Sequence, residues 1–168
     1  MRCVALMLAV VASPAHADEP QVVTRPWAIT GDIGLHSHGT IGVSVERGIG
    51  RYLAAALGVG RYLVPTIDPN DRVSAAFRVR YPGQSSAVGL SAETWYGDHE
   101  AGRYREDTCK LEGAIGAGGT GYVEVRGDSG FVFRGSFGRT WIAREGSAPC
   151  TKPYGSEALV GLSFGGSF

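Results

Sequence analysis

The stretch His36-Ser37-His38-Gly39 gathers the residue types best suited to chemistry. A serine nucleophile needs a base within hydrogen-bond reach and usually a third group to orient that base. In an extended segment His36 and His38 share one face and Ser37 points to the other. The spacing therefore disfavours a direct Ser–His pair. His-x-His can also offer two imidazoles to a metal, with Asp32 or His99 as a further ligand, yet two donors do not complete a zinc shell. The stretch reads as a polar connection, and no catalytic residue, metal site or cofactor is assigned. The glycine-rich "GAIGAGGTG" at 113–121 lacks the Gly-Lys-Ser/Thr ending and the strand-to-helix setting of a phosphate loop.

Two cysteines are the next reactive pair. Met1 and Arg2 open a positive start, Cys3 to Ala12 is apolar, and Ala15-His16-Ala17 ends in a small-x-small pattern. This is the build of a secretory signal peptide over residues 1–17, and it leaves residues 18–168 as one domain. The apolar run is well short of the roughly 20 residues of a spanning helix. Cys3 departs with the leader, so Cys109 and Cys150 are expected to form one disulfide in an exported protein. Arg2 departs too, which turns a balance of 16 bases and 16 acids into a formal charge of −1. That gives no electrostatic reason to expect a nucleic-acid partner.

The elements that must carry these residues alternate with a period of two almost throughout. Trp27, Ile29, Ile33 and Leu35 form one apolar face, then Ile41, Val43 and Val45, then Leu53, Ala55, Leu57 and Val59. From Val73 the pattern sets Val73, Ala75, Phe77, Val79 and Tyr81 against Ser74, Ala76, Arg78 and Arg80. The fifth run pairs the Val88–Tyr96 face with Gly89, Ser91, Glu93 and Trp95, and the sixth pairs the Ile115–Val125 face with Tyr122, Glu124 and Arg126. Phe131, Phe133 and Phe137 mark the seventh, and Val160, Leu162, Phe164 and Phe168 the last. The runs are roughly 9 to 12 residues long, against a usual 5 to 6, and a tilted strand needs about 9 to 11 to cross a bilayer. Glycine numbers 26 and follows no collagen period. Set inside apolar runs, these glycines mark bends and close backbone approach and do not signal disorder.

Connections after the second, fourth and sixth runs are short, "RGIGR", "PGQSS" and "GDS", while those after the third, fifth and seventh are long. The long ones are 64–72, 97–114 and 143–157, and "HSHG" is a short exception. This asymmetry predicts an all-β fold, an eight-stranded antiparallel up-and-down transmembrane β-barrel with short turns at the periplasmic end. Cys109 and Cys150 then fall in two external loops, where a bridge would stabilise the fold by roughly 4 kcal/mol. Hydrocarbon cannot solvate charge, so the mixed face must turn inward. Asp32, Glu46, Glu93 and Glu124 are expected in the lumen with Arg78, Arg80, Arg126 and Arg134. Eight strands enclose a space that side chains fill, hence a plugged polar core. Trp27, Tyr81, Phe131 and Phe168 map to the periplasmic edge, and Tyr96 and Trp141 to the outer edge, where aromatic girdles sit. A soluble barrel with its apolar face inside is the competing arrangement.

With these features the sequence resembles the small outer-membrane β-barrel proteins of Gram-negative bacteria, the OmpA-like and OmpX-like group, over essentially the whole mature chain. The final Val160, Leu162, Phe164 and Phe168 look like the signal read by the outer-membrane assembly machinery, with Gly166 departing from the aromatic or apolar residue usual there. The resemblance implies a monomer in the cell outer membrane, with outer-membrane lipid and that machinery as partners and an extracellular ligand of unknown identity. The expected function is a non-enzymatic barrel with a structural role or external-loop binding. The alternatives are a narrow channel and a lipid-modifying enzyme acting through the first external loop. The deacylases that trim lipid A look like His-x-Ser on one strand face, a spacing this chain lacks.

Overall fold

A strand whose side chains alternate between grease and polarity can satisfy both faces only if its sheet separates two environments. The computed structural model, which describes residues 20–34, 40–62, 71–104, 107–144 and 156–168, contains one such sheet, closed on itself. Its strands are β1 (Trp27–Gly34), β2 (Thr40–Ile49), β3 (Leu53–Tyr62), β4 (Asp71–Pro82), β5 (Ser86–Tyr104), β6 (Asp107–Arg126), β7 (Phe131–Arg144) and β8 (Ser156–Ser167). Each pairs antiparallel with the next, and β8 returns to pair with β1 from Ala28↔Ser167 to Gly34↔Gly161. Just beyond the last rung, the Trp27 amide donates to the Phe168 carbonyl at 3.1 Å and the Phe168 amide to Trp27 at 2.9 Å. Closure removes the open edge that would leave backbone groups unpaired.

The two faces are sharply different. Outward lie the apolar side chains, with Leu57 and Leu90 both 69 % exposed and Phe137 65 %. Inward lie Glu46, Arg80, Glu124, Arg126 and Arg134, all buried. The barrel is thus inverted relative to a water-soluble one, which hides its apolar residues and shows its charges. Aromatic residues ring both ends of the exterior: Trp27, Tyr81, Phe131 and Phe168 toward the short turns, Tyr96 and Trp141 toward the other end.

Turn chemistry fits the short connections. Gly50 and Gly130 adopt φ of +69° and +92°, a region that favours glycine, between β2 and β3 and between β6 and β7. The Gly130 carbonyl also accepts from the Ser167 amide at 2.6 Å, which ties that turn to the end of β8.

Two features depart from the sequence reading. The stretch 97–114, read as an external loop, is largely strand: β5 continues to Tyr104 and β6 begins at Asp107. Register shifts between Gly97 and His99 and between Ala101 and Tyr104 break the alternation there, so the period of two fades although pairing continues. Before β1, residues Gln21–Thr24 form a single helical turn, α1, with Val22 buried. The leader 1–17, the stretch His36–Gly39 and Cys150 lie outside the described residues. The backbone of Cys109 stands in β6 opposite Ala101.

Candidate functional site

The lumen is built in three layers, and the lowest is α1. The Gln21 amide donates to the Gln84 carbonyl at 3.1 Å, and its side-chain amide donates to Asp128 at 3.2 Å. Both partners sit in short turns, so α1 lies across the mouth that those turns surround. The Gly48 amide donates to the Pro26 carbonyl at 2.6 Å, and a Cβ at Gly48 would meet the Arg80 guanidinium at 2.6 Å. Glycine therefore lets β2, the segment after α1 and Arg80 come together at this point.

Above α1 lies a sealed charge layer centred on Glu46. Its Oε1 accepts from Arg126 at 2.8 Å and from Arg80 at 3.2 Å, and its Oε2 accepts from Arg78 at 2.5 Å and from Arg134. Glu124 accepts from Arg126 Nε at 2.6 Å and from Arg134, whose Nε lies at 2.8 Å. Four arginines thus surround two carboxylates. Backbone oxygens supply further acceptors, as Arg126 donates to the Arg25 carbonyl at 2.9 Å and Arg80 to that of Val22 at 3.4 Å. A buried charge is tolerable only when paired and hydrogen-bonded, and the carbonyls of the α1 segment take part in that satisfaction. The Arg134 guanidinium also lies 5.4 Å from the centre of the Tyr122 ring.

The upper lumen has a different composition. Arg72 donates to Glu93 at 3.2 Å and stands 4.5 Å over the Trp95 ring. The indole, 2 % exposed, donates to the Thr140 hydroxyl at 3.1 Å. It lies flat against Gly116, where any Cβ would collide with the ring. Asp32 accepts from the Thr30 hydroxyl at 3.1 Å and has no ion pair among the described residues. Between this level and the charge layer is a cavity of about 160 Å³, bordered by Asp32, Arg72, Arg78, Glu93 and Arg134, with several serines and glycines in its wall.

Of the eight expected luminal residues, the structure brings Glu46, Arg78, Arg80, Glu124, Arg126 and Arg134 into one contact network, whereas Glu93 pairs separately with Arg72 and Asp32 stands apart. Arg72, within the stretch 64–72 expected as a loop, stands instead in β4 and is a fifth luminal base among the described residues. Extending the alternation one step back from Ser74 would have placed it on the inward face. Nothing in the period of two marks α1. Val160, Leu162, Phe164 and Phe168 all project outward on the closing strand or just past it. Among the described residues no group of three or more His, Cys, Asp and Glu could hold a metal ion.

No family model matches the chain, and no curated protein does. Solved structures do. The N-terminal β-barrel domain of Pseudomonas aeruginosa OprF is similar with a TM-score of 0.59 at 14% identity, over 84% of this chain and 96% of that one. Neisserial surface protein A (NspA) is similar with a TM-score of 0.53 at 14% identity, over 84% of this chain and 94% of that one. The chain therefore has the eight-stranded up-and-down fold of the small outer-membrane barrels.

Proposed function

We propose that this protein is exported by its 1–17 leader, inserts into the outer membrane as a monomeric barrel, and acts without catalysis, as an envelope component whose long connections face the exterior. The observation that carries this reading is the inverted polarity: an apolar exterior around a lumen of paired arginines and carboxylates. Only a surrounding of hydrocarbon makes that arrangement favourable. The likeness to OprF and NspA supports the same location. The sealed charge layer favours a plugged core over an open pore, because Glu124 and Arg126 are each 1 % exposed.

A Cys109–Cys150 bridge would tie the β5–β6 hairpin to the β7–β8 connection and hold the outward surface in one shape for binding. The outward row Val160, Leu162, Phe164 and Phe168 would serve as the recognition face for the assembly machinery. The reading is tested by fractionating expressing cells. The protein is expected with the outer membranes and to need detergent for extraction. Recovery in the soluble periplasmic fraction without detergent would overturn it.

A further inference from the structure

The luminal arginines are unevenly satisfied. Arg126 donates from all three of its nitrogens, to Glu124, Glu46 and the Arg25 carbonyl. Arg80 and Arg134 each donate from two. Among the described residues Arg78 donates only from Nη1, to Glu46. Its side chain is also the most open of the four, 12 % exposed, and it borders the cavity above the charge layer. A guanidinium carries five N–H donors. Arg78 therefore brings unused donors to a space of about 160 Å³, roomy enough for a small ion.

The charge count points the same way. Among the described residues, with Arg72 included, five arginines face four carboxylates inside the barrel. Glu46 and Glu124 are taken up by the sealed layer, and Glu93 by Arg72. Asp32 is the remaining acid among the described residues, and the Thr30 hydroxyl already donates to it. Ser74 and Ser163 also line the cavity and add hydroxyl donors, whereas the Ser44 hydroxyl is paired with Thr30 and that of Ser136 donates to the Gly161 carbonyl. A polar space with surplus positive charge and unused donors, surrounded by a low-dielectric wall, favours a counter-anion.

We propose that the upper lumen is a binding site for a small oxyanion of the phosphate or sulfate kind, seated on Arg78 and the neighbouring serine hydroxyls. Trp95, stacked on Arg72 at the same level, is a built-in reporter. Replacing the other two tryptophans (W27F, W141F) isolates its signal. The detergent-folded barrel is titrated with sodium sulfate or sodium phosphate, ionic strength being held constant with sodium chloride.

A saturable change in Trp95 emission is expected. Arg78→Lys keeps the charge but loses the planar fork, and should weaken the apparent affinity at least tenfold. Asp32→Asn should tighten it severalfold, and Arg61→Gln on the exterior should leave it unchanged. A wild-type response that is absent or fails to saturate overturns the proposal. So does unchanged affinity in Arg78→Lys, or in Asp32→Asn, which leaves every arginine of the sealed layer in place.

Discussion

Glu46 accepts from four guanidinium groups contributed by β4, β6 and β7, and no other described carboxylate is shared so widely. Neutralising it strands several buried positive charges at once, and breaking a buried ion pair on one side costs about 3–5 kcal/mol. Glu46→Gln should therefore lower stability by about that amount, read as the urea midpoint of the barrel in detergent, whereas Asp71→Asn, whose carboxylate pairs with Arg61 on the exposed rim at 2.9 Å, should change it by well under about 1 kcal/mol. Equal effects at the two positions would mean that the sealed layer is solvated after all. Alternation alone indicates that Glu46 turns inward. It does not say which bases Glu46 meets, because Arg134 is 88 positions away and the contact depends on how the strands stagger around the closed barrel. The same holds for Gly116: the sequence shows a small residue in a strand, and only the fold shows that the indole of Trp95 occupies the space a side chain would need.

Among the elements, α1 is the one with no sequence signal, since four residues are too few to display a period. Its placement comes from tertiary partners: Gln84 and Asp128 in the turns, and Arg80 and Arg126 from within the lumen. Val22 is its buried side chain, at 3 % exposure. A carboxylate there would seek water and lift the turn from its seat, leaving two arginine donors without their carbonyl acceptors. Each buried group left unsatisfied costs about 1–3 kcal/mol. Val22→Asp should thus speed amide exchange at residues 21–25 and lower stability by a few kcal/mol, while the strands keep their protection. Unchanged exchange would show that α1 does not close this mouth in solution. The β5–β6 hairpin was hidden for another reason. Its strands stay paired out to Tyr104 and Asp107, but the register shifts after Gly97 and Ala101 interrupt the regular rungs that a period of two reflects. The other strands are legible nearly to their ends, because a closed barrel with one apolar and one polar face demands the same alternation at every rung.

At the scale of the whole molecule, the decisive property is which side of the wall is apolar, and it can be tested with charges placed on either face of a single strand. Leu57 lies midway along β3, between Val45 of β2 and Ala75 of β4, and points outward. In a bilayer, an arginine near the midplane of the lipid face costs about 2–4 kcal/mol, whereas at the interfaces the cost falls to about 0–1. Leu57→Arg should therefore destabilise the barrel by about 2–4 kcal/mol when folded into phospholipid vesicles and lower its yield in the outer membrane. Arg47, outward near the short-turn rim and 5.2 Å over the Trp27 ring, already occupies the kind of place where such a charge is tolerated. Moving the substitution along the exterior from Leu57 to Leu53, nearer that rim, should recover most of the loss. A water-exposed exterior would instead accept arginine at both positions with little change, since surface substitutions away from specific contacts are worth within about 0.5 kcal/mol. The depth dependence is thus the discriminating quantity: a cost that peaks in the middle of β3 and fades toward its end is produced by a lipid slab and by no uniform solvent.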